Sequence, residues 1–406
     1  MKIIHTSDWH LGQKFLSHSR EEEHEAALNW LLELVQSEAP DALLVAGDIF
    51  DIGNPPNSAR KSYYRFLRQM MDTPCRHVII TGGNHDSPAM LNAPRELLAA
   101  MQVHVVGNAG ADPAEEVIPL YNAQKELEAV IAAVPFLRDR DISEGVSGET
   151  GLDRIAKIKQ GIRGHYERVA AHISSHFPVN EVPVIAMGHL YASGATASGK
   201  QDNIYIGNTE NIDATHFPEV FDYVALGHIH RAQRVGRLEH VRYSGSLIPL
   251  SFSEVRDTKS VWVLEWEGKN FNSRAAELPV FRQLRTIAGS LEEVKAKIEG
   301  LAQKAAEAQF PPWADIRVHL DALLPDLNES LREFASGLPL EILKIQAVYP
   351  NRKNLQEQQL PMLEDLSPIE VFRMKCERMG ESPKQMEELL EQFRELQDWH
   401  RESEQA

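Results

Sequence analysis

Five short apolar runs in this chain stop on the same kind of tail, and that recurrence constrains the fold more than any single residue does. The tails are Thr6-Ser7-Asp8-Trp9-His10, Ala46-Gly47-Asp48, Gly82-Gly83-Asn84-His85-Asp86, Met187-Gly188-His189 and Leu226-Gly227-His228-Ile229-His230. Apolar β-rich runs separated by amphipathic stretches predict an α/β layer fold. In an open α/β sheet the ligand crevice lies at the carboxyl ends of the strands. Four of the five tails carry Gly just before the first polar group, which lets the backbone turn tightly and keeps bulk away. The tails are therefore expected to converge on one crevice.

What converges has the chemistry of a metal site. Residues two apart in an extended segment point to the same side, so Asp8 pairs with His10 and His228 with His230. With Asp48, Asn84 and His189 they make seven candidate ligands: two carboxylates, one amide oxygen and four imidazoles. A set without thiolate suits Mn²⁺, Fe²⁺ or Zn²⁺ rather than a soft-metal centre. Seven donors exceed what one four-coordinate ion needs and suit two ions about 3.5–4 Å apart that share a carboxylate. Asp48, alone on its strand end, is the expected bridge. The composition agrees, with 17 histidines against two cysteines, Cys75 and Cys376, neither in a CxxC pair. Thiolate metal sites and a secreted disulfide framework are excluded, and a reducing cytoplasm is expected. The start at Met1 shows no apolar run near the roughly 20 residues of a membrane span and no cleavage site. The net charge of −17 argues against holding nucleic acid mainly by a basic surface, but not against a phosphate substrate met by bound cations.

Along the chain, strands are expected at Lys2–Thr6, Ala42–Ala46, His77–Thr81, Val130–Val134, Val182–Met187 and Tyr223–Leu226. Helices are expected from Ser19 to Gln36, with Ser19 and Glu22 as a capping box, from Asn57 to Met71, and from Pro88 to about Met101. Strands near Val241–Ser244, Ser260–Glu265 and Arg274–Leu278, without long helices between them, suggest an antiparallel finish, as in a two-layer sandwich. From Phe281 the rhythm becomes strand, helix (Leu291–Glu307), strand (Asp315–Asp321), helix (Leu327–Ser336), strand (Glu341–Val348), a small α+β unit. A polar linker, Asn351 to Gln359, precedes two helices announced by Ser367-Pro368 with Glu370 and Ser382-Pro383 with Gln385. The expected division is residues 1–280, 281–349 and 350–406.

The five tails in this order resemble the signature of the calcineurin-like metallophosphoesterases: D-x-H, G-D, G-N-H-D, G-H and G-H-x-H. Thr6–Gly12, Gly82–Ser87, Asp202–Gly207 and Tyr243–Phe252 further resemble the branch of nuclease subunits that bacteria pair with a coiled-coil ATPase. The resemblance is strong over residues 1–280 and continues afterwards by layout. It implies a two-sheet αββα sandwich with a small α+β capping domain and C-terminal helices. It implies one metal held by Asp8, His10, Asp48 and His230, and a second by Asp48, Asn84, His189 and His228. His85 would face the scissile phosphate and donate a proton to the leaving oxygen, as an imidazole can near neutral pH, with Asp86 orienting its ring. Relatives outside bacteria carry a further His at the position of Asp51; the Asp here leaves that role open, with support of a ligand as one use. The implied activity is double-strand exonuclease and hairpin and single-strand endonuclease action on DNA, with Mn²⁺, in end processing, repair and recombination.

The same resemblance implies a homodimer through helices near residues 57–71 and 88–101, and a coiled-coil ATPase gripped by the C-terminal helices. There Met386, Leu389, Leu390, Phe393 and Leu396 form one stripe, with Ile369, Phe372 and Met379 on the helix before. Tyr63, Phe66 and Met70 serve either as dimer contacts or as core. Arg60, Lys61, Arg65 and Arg68 form a basic helix side that either tracks DNA or is solvated. The twelve histidines outside the motifs, His24, His172 and His319 among them, are read as surface or core residues. Two rivals stand beside the nuclease. A small-molecule phosphodiesterase or phosphatase would share the five motifs, but would not need the 126 residues beyond 280. A non-catalytic scaffold would typically lose ligands, whereas all seven positions and His85 are filled.

Overall fold

A computed structural model of the chain describes residues 1–142, 151–193, 195, 211–305, 308–321, 324, 326–349, 386, 389, 390, 392 and 393. The body is built on two six-stranded sheets. One runs in the order Asn270–Glu277, Ser260–Glu267, Lys2–Thr6, Ala42–Ala46, His77–Thr81, Val103–Val106, the first three strands pairing antiparallel in turn and the rest parallel. The other runs Gln233–Val235, Leu238–Tyr243, Tyr223–Gly227, Val184–His189, Leu127–Ala133, Val117–Tyr121, parallel inside and antiparallel at both edges. Ala42–Ala46 shows why the sheets stack. Leu44 and Ala46 point into a core shared by the sheets with Ile131, Ile185 and Ala225, whereas Leu43 and Val45 point outward under helices. All five residues are buried, so the strand is apolar on both faces.

Helices Glu21–Glu38 and Asn57–Met70 cover the first sheet through Leu28, Leu31, Phe66 and Leu67; helix Gly151–His176 covers the second through Ile158, Ile162, Tyr166, Val169 and Ile173. The layers are thus αββα. Leu284–Gly289, Trp313–His319 and Glu341–Val348 form a separate parallel three-stranded sheet with helices Leu291–Lys304 and Leu327–Phe334 in the crossovers and a core of its own around Ile298, Ile316 and Leu331. Its first helix opens on a capping box, Ser290 with Glu293. The small unit meets the body where Trp313 and Leu284 pack on Phe15. There Arg20 and Arg282, both nearly buried, pair with Glu23 and lie over the Trp313 ring.

Several expectations shift. The stretch after Pro88 forms two short helices, Pro88–Asn92 and Arg95–Ala99, because Pro94 has no N–H to continue the ladder. The capping box at Ser19 does not form. Helix Glu21–Glu38 starts after Arg20, whose guanidinium is drawn inward to Glu23 and the Pro249 carbonyl, and Ser19 Oγ accepts only from the Glu21 N–H at 3.3 Å. The antiparallel finish holds for Ser260–Glu267 with Asn270–Glu277, but Leu238–Tyr243 lies parallel to Tyr223–Gly227. Helix Gly151–His176 has no counterpart among the expectations. Tyr63, Phe66 and Met70 are core residues, each about 2 % exposed or less. Asp202–Gly207, the linker Asn351–Gln359, the two Ser-Pro caps, and Ile369, Phe372, Met379 and Leu396 lie outside the described residues, as does Cys376; Met386, Leu389, Leu390 and Phe393 are helical. Among the described residues no helix is long and apolar enough to cross a membrane.

Candidate metal centre

All five tails meet at the carboxyl end of the sandwich, and their backbones are locked together before any side chain is considered. The Asp8 N–H donates to the Gly47 carbonyl and the His10 N–H to the Asp48 carbonyl, both at 3.0 Å, tying the first tail to the second. The His85 N–H donates to Asp48 Oδ1 at 3.0 Å, and the His228 N–H to Asp8 Oδ1 at 2.9 Å, tying in the third and fifth. Asp8, His10, Asp48 and His228 all adopt positive φ, of 51°, 47°, 50° and 99°. Such backbone strain in non-glycine residues persists only where surrounding contacts over-determine it, and it clusters at functional sites. Gly83 shows how close the tails come: a Cβ there would lie 2.1 Å from Asp48 Oδ1 and 2.3 Å from its backbone nitrogen.

The side chains then face one another around Asp48. Its Oδ2 lies 3.2 Å from His189 Nε2 and 3.4 Å from His10 Nε2. Asn84 Oδ1 lies 3.1 Å from His189 Nε2 and 3.0 Å from His228 Nδ1. Ligand atoms of Asp8, His10 and His230 fall within 4.8 Å of one another, as do those of Asp8, Asp48 and His189, and those of His10, Asp51 and His85. All seven expected ligand positions are therefore in one cluster. Asp8, His10, Asp48, His189 and His228 are buried, whereas Asn84 and His85 are exposed, so the cluster opens to solvent on their side.

Groups other than the candidate ligands hold the imidazoles. His10 Nδ1 lies 3.2 Å from Asp51 Oδ1, and His189 Nδ1 lies 2.9 Å from the Ala46 carbonyl. Metal-binding histidines commonly present one ring nitrogen and donate the other to an acceptor of this kind. His230 Nδ1 faces Glu254 Oε1 at 3.6 Å. Burial would lift the Glu254 carboxyl, but Lys259 and His230 beside it hold it far below the usual carboxylate range.

The expectation that Asp86 orients the His85 ring gives way. Asp86 is buried and its carboxylate accepts from the Gly83, Ile49 and Phe50 N–H groups at 2.8, 3.1 and 3.0 Å, which leaves it bracing the second and third tails. The His85 ring is held instead by the Asp51 main-chain carbonyl, 2.6 Å from Nδ1. Asp51 thus serves two rings, one through its side chain and one through its backbone. Glu254, at the end of the short 3-10 helix Phe252–Glu254, and Asp51, on a loop, were out of reach of motif spacing; the Asp51 position in the resemblance was the one signal available. Of the basic helix side, Arg65 pairs with Glu25 and Arg68 with Asp72, so two of its four cations are neutralised.

The donor set fits divalent cations. His10 Nε2 is buried without a hydrogen-bond partner, which is costly unless a cation or water meets it. Burial lowers the His189 imidazole, but the Asp48 carboxylate against it wins and holds it up at about 9. Burial drives His228 down to about 3, leaving it neutral. Asp48 itself resists the upward push of burial and stays well below the usual carboxylate range because of the imidazoles of His189 and His10. The cluster therefore gathers carboxylates and imidazoles around one point, a donor set that a cation can use once His189 sheds its proton.

Comparison with known proteins places these motifs. A family model described as calcineurin-like phosphoesterase matches residues 1–232, and one described as the type 5 capsule protein repressor C-terminal domain matches residues 280–380. The SbcD subunit of the SbcCD nuclease from Escherichia coli strain K12 is 40% identical over 390 residues, covering 95% of this chain and 95% of that protein. The protein of the same name from Rhodobacter capsulatus is 32% identical, covering 86% of this chain and 88% of its own, and that of Bacillus subtilis strain 168 is 33% identical, covering 65% and 66%.

Proposed function

The chain belongs to the calcineurin-like phosphoesterases and, within them, to the SbcD family of SbcCD nuclease subunits; from that premise we propose that it is the nuclease subunit of a complex with an SbcC-type coiled-coil ATPase, cutting DNA with two manganese ions. It is a phosphodiester hydrolase of a family that works with divalent metals. The observation that carries the reading is the meeting of seven donor groups from five strand ends around Asp48. In this reading Asp8, His10, Asp48 and His230 hold one ion, and Asp48, Asn84, His189 and His228 the other. Nitrogen and oxygen donors without thiolate suit Mn²⁺. When bound, the ions supply Lewis acidity and positive charge at the scissile phosphate.

The chain's own groups do the rest. Asp48, between the two sets of ligands, fixes their separation. The Asp51 carbonyl can only accept, so His85 Nδ1 carries its hydrogen there, and the protonated ring gives up its second proton, from Nε2, to the leaving oxygen. His85 is exposed at the mouth of the cluster, where a phosphodiester can reach it. Asp86 acts through the backbone it braces and touches no reacting atom.

Residues 1–280 are the nuclease domain in this reading, 281–349 a capping domain that helps present DNA, and 350–406 the partner-binding segment. A groove of about 950 Å³ between the body and the small sheet supports the second role: Lys14, Arg256, Arg285 and Lys344 line it with Phe15 and Phe252, and Arg317 there is paired with Asp315. Cations gathered in one groove of a chain with net charge −17 suit a phosphate backbone. Tyr64, Met71 and Leu97, which are 40%, 52% and 70% exposed on or beside the helices at 57–71 and 88–101, support pairing of two copies there. The stripe Met386, Leu389, Leu390 and Phe393 supports helix-in-groove binding of the ATPase.

Co-purification with the coiled-coil ATPase, followed by cleavage of a labelled DNA hairpin in Mn²⁺, tests partner and substrate together. The expected result is a stable complex that opens the hairpin. A complex that hydrolyses a nitrophenyl phosphodiester but leaves DNA intact would favour a small-molecule enzyme.

A further inference from the structure

His230 is gripped more tightly than its place at the end of a motif requires. Its main-chain oxygen accepts from Lys259 Nζ at 2.7 Å, from the Ser246 N–H at 3.3 Å and from Ser246 Oγ at 3.4 Å. Its ring Nδ1 faces Glu254 Oε1 at 3.6 Å, and the ring meets that of His10 edge-on, with centroids 5.0 Å apart. Glu254 is fixed in turn. Its Oε2 accepts from Lys259 Nζ at 2.6 Å and from the Leu250 N–H at 3.2 Å, and its Oε1 accepts from Ser251 Oγ at 3.1 Å. Lys259 completes its contacts by donating to Ser246 Oγ at 2.9 Å.

Glu254 is 2% exposed and Lys259 6%, so this is a buried ion pair. Buried pairs are poor devices for stability alone, because desolvation of both charges offsets their attraction and well-packed apolar residues usually do as well. Their placement offers another reason. The far nitrogens of His10 and His189 each meet an acceptor, Asp51 Oδ1 and the Ala46 carbonyl. Glu254 stands beside the His230 ring in a comparable but looser way, its Oε1 3.6 Å from Nδ1.

We propose that Glu254 and Lys259 are positioning residues for the metal centre: Glu254 takes the Nδ1 hydrogen of His230, which presents Nε2 toward Asp8 and His10, and Lys259 anchors both that carboxylate and the His230 backbone. This rests on His230 being a metal ligand. Neither residue touches substrate or a reacting atom; both act through one imidazole. The ring of His230 is also the most exposed of the four candidate ligand imidazoles, so it is the one that most needs an anchor outside the cluster.

The test uses the full chain, Mn²⁺ titrations read by equilibrium dialysis and electron paramagnetic resonance, and three variants. Glu254→Gln/Lys259→Met removes both charges together and strands neither. Glu254→Asp keeps the charge pair but withdraws the carboxylate from the ring. His230→Ala is the reference. The expected result is two ions on the unaltered chain and, in both Glu254 variants, one ion held normally and the other bound about 10–100-fold more weakly, as in His230→Ala, with the melting midpoint of the metal-free protein unchanged. Wild-type affinity for both ions in the two Glu254 variants, beside a weakened His230→Ala, overturns the proposal alone. Weakening that appears only with a lowered metal-free midpoint also overturns it, since packing would then be the cause. A His230→Ala chain that keeps both ions overturns the ligand reading and the proposal with it.

Discussion

Asp48 stands where four tails touch: its backbone carbonyl receives the His10 N–H, its Oδ1 receives the His85 N–H, and its Oδ2 faces His189 and His10. Asp48→Asn keeps the shape but gives up a charge shared by both proposed ions, so bound metal should fall below two ions per chain and metal-dependent cleavage should drop by more than about 100-fold. Metal analysis beside a hairpin assay reads both quantities. His85→Ala should leave both ions in place and lower turnover by about 10²–10⁴-fold, the range of a lost general acid. Lost metal in that variant would make His85 a ligand instead. The pH dependence follows from His189. Its imidazole is held at about 9 by Asp48 against the pull of burial, so the metal-free chain carries a proton there at neutral pH. A ligand must shed that proton to bind, so loading releases it, and affinity should rise by about tenfold per pH unit from this group up to pH 9 before levelling. Calorimetry in two buffers measures the released proton; an affinity flat across that window contradicts the assignment. His5 and His24 lack this tuning: burial drives both down to about 3, and they stay neutral core residues.

At the level of strands and helices, the tails work because glycines let them close on one another. In Gly83→Ala the added methyl would meet the Asp48 carboxylate and backbone, so one strand end must move. A cost of about 1–3 kcal/mol in stability is expected, as for overpacking, together with weaker metal binding. An unchanged melting midpoint with full metal occupancy would show that the tails are looser than described. The strand ends were legible in the sequence because a polar tail after an apolar run leaves a clear mark, and Ala42–Ala46 and His77–Thr81 were expected at their observed bounds. The groups behind the imidazoles were not legible, since Glu254 approaches His230 from a single 3-10 turn outside the motifs and the Ala46 carbonyl carries no side-chain signal. Helix Gly151–His176 went unread although Ile158, Ile162, Tyr166, Val169 and Ile173 recur at helical spacing; Gly161 and Gly164 dilute its propensity. The role that the resemblance implies for Asp86 fails because a buried carboxylate goes where unpaired N–H groups are, and three lie within reach on the neighbouring tails.

Across the whole molecule, two stacked sheets bring residues 8 and 230 of the sequence into one cluster; the layer order was an implication of the family resemblance, and it agrees with strands that are buried and apolar on both faces. The meeting of the body with the small sheet was not readable. It depends on Arg20 and Arg282 sharing Glu23 and the Trp313 ring, a pairing across the chain with no local pattern. The centre itself is open to a direct measurement: an anomalous-difference map from crystals grown in Mn²⁺, recorded at the manganese edge. Two peaks about 3.5–4 Å apart, with Asp48 between them and the other six ligands divided around them, are predicted. A single peak, or manganese bound away from the five strand ends, would contradict the account.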